Sequence, residues 1–516
     1  MPAVVKRTVT VDVSGLTAED VIAVGREGAL VELSGPALRA MAAARAHVEM
    51  LAAGSTPVYG VSTGFGALAT RRIDPAQRER LQRSLIRSHS AGVGDPIERD
   101  VVRAMMLLRL RTIASGITGV RPETAEALVR LLNADITPVV PEFGSLGCSG
   151  DLAPLAHCAL VLMGEGEAFG LGGQIEPAAA LLERAGIAPV ALAAKEGLGL
   201  INGTDGMLAM LILFAADFRR LLVQADITAA MSTEALLGTD RAFRAELISL
   251  RPQPGQADSA DNLFRLLTGS EIVASHRTRD PRVQDPYSIR CAPQVAGAVR
   301  DTLVHAEAVA ERELQARIDN PVVLEDGSLE SNGNFHGAPL GYVLDFLAIA
   351  AADLASIAER RTDRMMDIAR SAGLPPFLAD DPGVDSGLMI AHYTQAALVS
   401  ENKRLAVPAS VDSIPTSAMQ EDHVSMGWAA GRKLGQALLN LRRVLAVELV
   451  AASRAQELRA PLAGAPATAA VAALVRKRIG SAGPDRFVAP DLLIAEELLA
   501  GDEVIVAAEG VAGPLN

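Results

Sequence analysis

Apolar residues follow the spacing of α-helices along most of the chain, and the pattern is strongest after residue 206. Residues 337–369 are apolar on nearly every side at first and become charged from Glu359 onward. Residues 424–458 carry an apolar stripe made of Trp428, Leu434, Leu438, Leu445 and Leu449. Helices of this length and apolarity commonly run through a bundle that subunits share. The pattern therefore predicts a mainly α fold built around long, buried helices.

The N-terminal part of the chain shows shorter elements. Residues 4–12 predict a β-strand, and Thr17 to Asp20 have the sequence of a capped helix start. Further helices are predicted at residues 75–91, 98–115, 122–133 and 175–186, and a hairpin loop around residues 325–328. No clear linker interrupts the pattern, so we draw soft boundaries. They give an N-terminal α-rich region at residues 1–205 and a helical bundle with a C-terminal helical region at 206–516.

The composition narrows the possible partners. The chain has 516 residues, of which 49% are hydrophobic and 3% aromatic, and this favours close-packed helices over sheets. Its net charge of −13 argues against nonspecific binding to nucleic acid or to anionic membranes. Apolar runs such as residues 206–216 are too short to span a bilayer. We therefore expect no nucleic-acid or membrane partner.

The cysteines and histidines give no sign of a disulfide framework or a metal site. Cys148, Cys158 and Cys291 cannot all pair, and the eight histidines form no metal-binding motif. The first ten residues lack the apolar segment and cleavage site of a signal peptide. We expect a cytoplasmic protein without a bound metal.

The stretch from Glu142 to His157 carries the most unusual chemistry. It places three glycines, two serines and a cysteine between Gly144 and Gly150 and then becomes apolar. Gly150 has no Cβ, so its amide nitrogen can approach the carbonyl carbon of Cys148. Attack there, followed by two dehydrations that include loss of the Ser149 hydroxyl, gives a five-membered imidazolone with an exocyclic methylene. Such a ring is an electrophile made from the chain itself.

Two simpler interpretations compete with this one. A run of Gly and Ser before a helix is usually a turn or an anion-binding helix N-terminus. A nucleophile elbow would need Gly at position 151, where the chain has Asp151. Asp151 is also a candidate cap of the following helix, whose dipole would stabilise negative charge on the loop.

Other polar residues stand in glycine-rich or helix-terminal segments. Tyr59 lies in a loop with glycines at positions 60, 64 and 66, which is either a surface turn or a lid that carries a phenol over a site. His89 lies near a helix end, where structural histidines are common. Asn202 lies in a turn that either connects helices or places an amide at a ring oxygen.

Two further clusters interrupt the helical pattern. Gln284, Tyr287 and Arg290 are three residues apart, which brings them to one side of a helical turn, and Arg is a natural partner of a substrate carboxylate. An exposed Arg beside an unrelated tyrosine is the alternative. Glu421 lies in the polar segment 416–425 and is either a functional carboxylate or a helix cap.

Taken together, six motifs resemble those of the aromatic amino-acid ammonia-lyases over nearly the whole length. They are Tyr59–Gly66, Ser88-His89, Gly144–His157, Asn202–Thr204, Gln284–Arg290 and Gln420–His423. The resemblance implies the long-helix fold shared with fumarase and aspartase, a smaller N-terminal region that bears the reactive loop, and a homotetramer. The Gly-Ser-Ser and Met-Pro loop of the fumarase group is absent.

The family is known for 4-methylideneimidazole-5-one (MIO), which the resemblance places here at Cys148, Ser149 and Gly150, with no external cofactor. The first of the three residues is more often Ala. Because the side chain of residue 148 lies outside the reacting atoms, we expect the ring to form with Cys.

The resemblance also implies roles for the other site residues. Asn202 is needed near the ring, and Tyr59 transfers a proton opposite the electrophile. Arg290 holds the substrate carboxylate. Gln284, Tyr287 and Phe335 line the site, and Tyr287 counts among its catalytic groups. The β-proton base is either Tyr59 or Glu421.

Substrate choice is expected to depend on Ser88-His89 and on Glu421. Tyrosine-specific members typically have His-Leu at the first position and phenylalanine-specific members an aromatic residue followed by Leu, whereas Ser-His resembles the histidine-specific form. An imidazole has a donor and an acceptor that His89 and a carboxylate can satisfy. The resemblance thus implies conversion of L-histidine to trans-urocanate and ammonia. The alternatives are a tyrosine or phenylalanine ammonia-lyase, an aminomutase and, from another class, an inactive helical scaffold.

Overall fold

The computed structural model describes residues 6–54, 58–64, 66–68, 70–278, 280 and 282–516. Within these ranges the chain is mainly α-helical, as the hydrophobic pattern predicts. The helices are α1 (Ala18–Gly25), α2 (Gly35–Ala53), α3 (Arg78–His89), α4 (Arg99–Ala114), α5 (Pro122–Asn133), α6 (Leu152–Leu162), α7 (Ala178–Ala185), α8 (Glu196–Ile201), α9 (Asp205–Ala235), α10 (Ala245–Ile248), α11 (Pro254–Leu266), α12 (Glu271–Ser275), α13 (Tyr287–Arg290), α14 (Ala292–Leu314), α15 (Ala338–Met366), α16 (Met389–Leu405), α17 (Gly427–Glu457), α18 (Pro466–Ile479), α19 (Ala489–Ala500) and α20 (Glu503–Ala512).

The strands are short and form small sheets of two or three strands. They are β1 (Thr8–Val11), β2 (Leu30–Leu33), β3 (Val93–Pro96), β4 (Thr137–Pro138), β5 (Pro141–Phe143), β6 (Glu167–Phe169), β7 (Ile175–Pro177), β8 (Val322–Val323) and β9 (Leu329–Glu330). β1 and β2 pair in parallel, whereas β3 with β5, β4 with β6, β6 with β7, and β8 with β9 pair antiparallel. Short 3-10 helices cover Gly66–Leu68, Pro75–Gln77, Arg241–Phe243, Pro376–Leu378 and Ser417–Met419.

Local sequence signals predict the positions of several helices. The predicted helices at 337–369 and 424–458 correspond to α15 and α17. At the start of α1, Thr17 Oγ1 accepts a hydrogen bond from the Asp20 amide at 3.2 Å, and the Asp20 carboxylate accepts one from the Thr17 amide at 3.1 Å. This reciprocal pair is the capping box that the sequence predicts.

Two local predictions need adjustment. The helix predicted at residues 175–186 is wrong at its start, because residues 175–177 form β7 and pair with β6. Pro177 has no amide hydrogen and immediately precedes α7, so strand and helix meet at that residue. The strand predicted at 4–12 is confirmed over Thr8–Val11, while residues 4 and 5 lie outside the described ranges.

The chain forms two compact units whose segments alternate along the sequence. The first unit contains residues 1–213, 307–344 and 409–432, and the second contains residues 214–306, 345–408 and 433–516. The sequence analysis divides the chain once, between residues 205 and 206, whereas each compact unit is built from three separate segments of the chain. The division at 205 and 206 stays a prediction about domains.

In the first unit, α4 forms the centre of the core. It is buried along its whole length from Val101 to Ala114 and packs against α1, α2 and α5 as well as α6 and α8. Arg109 lies on this helix with only 2% of its surface exposed. A charged group buried so deeply requires polar partners, and those partners lie at the candidate site.

In the second unit, a buried ion pair joins the long helices. Glu448 on α17 accepts hydrogen bonds from Thr228 Oγ1 at 2.9 Å and from Ser232 Oγ at 2.8 Å. Arg361 Nη2 donates to the same carboxylate at 3.0 Å. Because the Glu448 carboxylate and the Arg361 guanidinium both have hydrogen-bond partners, the pair can be buried without leaving an unpaired charge.

Among the described residues, α15 is the one helix long and apolar enough to cross a membrane, and 61% of its most apolar window is buried inside the protein. Such burial is typical of a core helix.

Candidate active site

The loop from Gly144 to Gly150 is folded against a second glycine-rich turn. Gly150 has a φ of +71°, a conformation that L side chains rarely adopt. A Cβ at this position would overlap the backbone of Gly203. The amide of the next residue, Asp151, donates to the Gly203 carbonyl oxygen at 2.7 Å. The two backbones therefore touch at a point where only glycine fits.

Asp151 anchors the loop to the start of α9. Its Oδ2 accepts hydrogen bonds from the amides of Gly206 at 2.9 Å and Met207 at 3.0 Å, and its Oδ1 accepts one from Ser145 Oγ at 2.9 Å. The expectation that Asp151 caps the helix that follows it is wrong in this respect. Asp151 occupies the cap position of α6, but its side chain bonds no amide of that helix. Complete burial raises the pKa of this carboxyl to about 7.

A second set of bonds holds the middle of the loop. The Gly147 carbonyl oxygen accepts from Ser425 Oγ at 2.7 Å and from the Gly337 amide at 3.0 Å. The Leu146 carbonyl oxygen accepts from the Met426 amide at 2.8 Å. The loop is thus fixed from both sides by residues distant in sequence.

Ser149 is paired with Asn202, as the motifs predict. The Ser149 hydroxyl donates to Asn202 Oδ1 at 3.2 Å, and Asn202 Nδ2 donates to the Asn320 carbonyl oxygen at 2.9 Å. Asn202 follows the last turn of α8, and its own carbonyl oxygen accepts from Arg109 Nη1 at 2.7 Å. The buried Arg109 therefore positions the amide that meets Ser149.

One cavity collects most of the predicted catalytic side chains. It has a volume of about 440 Å³. Its lining includes Tyr59, Cys148, Ser149, Phe335 and Glu421. Tyr59 Oη accepts a hydrogen bond from the Gly66 amide at 3.2 Å. Residue 65 of the same motif lies outside the described ranges.

Glu421 and His89 are electrostatically coupled. Glu421 Oε2 accepts from Thr416 Oγ1 at 3.0 Å and from Cys148 Sγ at 3.4 Å. Burial lowers the pKa of His89, opposed by its bond to the Leu85 carbonyl and by the negative charge of Glu421. The His89 Nδ1 donates to the Leu85 carbonyl oxygen at 2.9 Å.

The remaining predicted residues belong to the second unit. The Arg290 guanidinium lies 4.6 Å from the centre of the Tyr287 ring, and its Nε donates to the Asp285 carbonyl oxygen at 2.9 Å. Tyr287 is 70% exposed, and Gln284 is also exposed. The predicted i,i+3 contact of Tyr287 and Arg290 is present. The roles of these three residues toward a substrate remain predictions.

Several residues at the cavity were not assigned a role from the sequence. His336 and His423 stack with ring centres 5.6 Å apart, and both line the cavity beside Asn320 and Asn332. His423 ends the Gln420–His423 motif and His336 directly follows Phe335 in the sequence, so proximity to predicted site residues is the available signal. Arg109 had no such signal, because its partners lie far away along the chain.

The residues of the loop fit a ring that forms from Cys148, Ser149 and Gly150. The glycine contact at Gly150, the hydroxyl of Ser149 and the amide of Asn202 meet the requirements of the proposed cyclisation. No group of three His, Cys, Asp or Glu side chains in the described ranges is arranged to hold a metal ion.

Comparisons with known proteins show which family and fold the chain is similar to. The profile of a family described as aromatic amino acid lyase matches residues 16–477. The chain is 64% identical over 509 residues to a histidine ammonia-lyase of Streptomyces avermitilis, covering 98% of this chain and 99% of that protein. It is similar to a solved histidine ammonia-lyase from Trypanosoma cruzi, with a TM-score of 0.89, 39% identity and coverage of 98% and 96%. A tyrosine aminomutase from Streptomyces globisporus gives a TM-score of 0.91, 38% identity and coverage of 98% and 99%.

The contact between Gly150 and Gly203 can be tested by adding a methyl group. We expect Gly150→Ala to destabilise the protein by several kcal/mol, because the new Cβ overlaps backbone that cannot rotate away. Gly186→Ala is the matched control, since Gly186 has a φ of +67° but open space around it. The control should lose only about 1 kcal/mol. Equal denaturation midpoints for the two variants would contradict the close contact.

The buried Asp151 should leave a signature in the pH dependence of stability. Its folded-state pKa of about 7 lies above the ordinary value of 3.8, so the folded chain binds the proton more tightly. The free energy of unfolding should therefore fall by a few kcal/mol as the pH rises from about 4 to 7 and then level off. Asp151→Asn should lack this slope, whereas the exposed control Asp326→Asn should keep it. Denaturant titrations between pH 4 and 8 measure the difference, and an unchanged slope in Asp151→Asn would refute the assignment.

Proposed function

The chain belongs to the aromatic amino acid lyase family, and we propose that it deaminates L-histidine to trans-urocanate and ammonia without oxidation. The observation that carries this proposal is the cavity that Ser149 shares with Glu421 and Tyr59. The high identity to a histidine ammonia-lyase over nearly the whole chain supports the choice of substrate.

The family is the MIO-dependent one, and we infer that this chain makes the ring from Cys148, Ser149 and Gly150. When formed, MIO supplies an electrophile that draws electrons from the substrate, so that a β-proton becomes acidic and the amine can leave. The residues around it have their own tasks. Asn202 holds the Ser149 side chain, and the hydrogen bond from Ser145 to Asp151 fixes the loop.

We propose that Tyr59 is the base that removes the β-proton of the substrate. Its phenolic oxygen accepts a hydrogen bond from the Gly66 amide at 3.2 Å, and its side chain lines the cavity that contains Ser149. Glu421 is instead held in place by two hydrogen bonds to Oε2, one from Cys148 Sγ and one from Thr416 Oγ1. Glu421 is therefore better suited to accept an N–H from the imidazole, with the half-buried His89 as the second group that recognises the ring.

From the family resemblance we propose that Arg290 binds the substrate carboxylate and that Tyr287 and Gln284 contact the substrate. A homotetramer is the assembly that the family resemblance implies. In the second unit, α14 and α15 expose Val304, Phe346 and Ile349, which are 56%, 47% and 45% accessible. An apolar surface of this kind is typical of a subunit interface. The three free cysteines are consistent with the reducing cytoplasm that we propose as its location.

The aminomutase alternative has its own support, since the tyrosine aminomutase structure matches this chain as well as the histidine ammonia-lyase structure does. A test of substrate specificity distinguishes a histidine ammonia-lyase from an aminomutase. The purified protein, without added cofactor, should produce the ultraviolet band of urocanate with L-histidine and no new band with L-tyrosine or L-phenylalanine. Coumarate or cinnamate would overturn the assignment of His89 and Glu421, and a β-amino acid by chromatography would establish the aminomutase.

Ser149 is the residue whose loss should separate chemistry from folding. Ser149→Ala removes the hydroxyl that must leave as water, so we expect turnover to fall by at least about a thousandfold. The circular dichroism spectrum and denaturation midpoint should stay near those of the parent protein. Near-normal turnover in this variant would contradict a role for MIO.

A further inference from the structure

The side chain of Cys148 takes no part in ring formation. Cyclisation consumes the backbone carbonyl of Cys148 and leaves the thiol free. The thiol lines the cavity and donates to Glu421 Oε2 with a sulfur–oxygen distance of 3.4 Å. The residue is only 8% exposed, so this contact is largely shielded from water.

Apolar residues hold Cys148 on its other side. It forms a buried cluster with Val424 and Met426, against which Leu146 and Ala409 also pack. Burial and the negative charge of Glu421 raise the pKa of the thiol to about 12. At neutral pH the sulfur therefore keeps its proton and can act as a hydrogen-bond donor.

The two carboxylate oxygens of Glu421 differ, because within the described part of the chain Oε2 accepts hydrogen bonds from the protein and Oε1 does not. The second donor to Oε2 is Thr416 Oγ1 at 3.0 Å, and Thr416 is tied to Glu421 by backbone bonds in both directions. Among the described residues no donor reaches Oε1 within hydrogen-bonding distance. One carboxylate oxygen is thus fixed by the protein, and the other remains for a ligand.

We infer that Cys148 is a positioning residue for substrate recognition. Its thiol, together with Thr416, fixes Oε2 of Glu421 so that Oε1 can accept the N–H of an imidazole ring. This inference rests on the proposed function and deepens it, because it gives the side chain of the first ring-forming residue a role in selecting the substrate. Cys148→Ala removes the donor without touching the backbone that cyclises, and Cys148→Ser restores an O–H donor.

Kinetics of three variants test the inference. Cys148→Ala should raise the KM for L-histidine roughly three- to tenfold, as expected for loss of one weak donor to a carboxylate, with a smaller change in kcat. Cys148→Ser should return KM to within about twofold of the parent value. Cys158→Ala is the matched control, because Cys158 is a buried thiol on α6 outside the cavity lining, and its KM should not change. The MIO absorbance must be equal in all variants, so that the change in KM is not a failure to form the ring.

A second measurement does not depend on turnover. Alkylation of Cys148 by iodoacetamide, followed by peptide mass spectrometry, should be at least about threefold faster in Glu421→Gln, because removal of the adjacent charge favours the thiolate. The rate at Cys158 should be the same in both proteins. An unchanged KM in Cys148→Ala, or no change in alkylation of Cys148, would overturn the inference. Absence of histidine turnover in the parent protein would instead refute the proposed function, and the alkylation result would stand independently.

Discussion

The contact between the backbones of Gly150 and Gly203 is the constraint on which the rest of the site depends. No side chain fits between them, so the reactive loop lies directly against the turn that carries Asn202. Asp151, one residue further, uses its buried carboxyl to bind the first amides of α9. The same few residues thus fix the loop and place it beside Asn202.

Much of this arrangement can be predicted from the sequence, but only where the signal is local. The capping box at Thr17, the long helices α15 and α17 and the i,i+3 contact of Tyr287 with Arg290 all follow from short-range spacing. The glycine and serine chemistry at residues 148–150 is equally local. These features need no knowledge of distant contacts.

What the sequence could not predict are contacts between distant segments. Arg109 reaches the Asn202 carbonyl oxygen across 93 positions, and Asp151 reaches the amide of Gly206 across 55. No periodicity marks such pairs, and the local sequence at Asp151 instead predicts a cap of α6. The alternation of segments between the two compact units has the same origin, because chain order does not fix which segments pack together.

Cys148 links the formation of the electrophile to recognition of the substrate. Its backbone belongs to the ring, while its thiol contacts the carboxylate that we assign to the imidazole. Both assignments require that Cys148, Ser149 and Gly150 cyclise. The mass of the peptide that contains them, taken from purified protein, tests this most directly. We predict a mass lower than that of the encoded sequence by two molecules of water, whereas the full encoded mass would contradict the self-made electrophile.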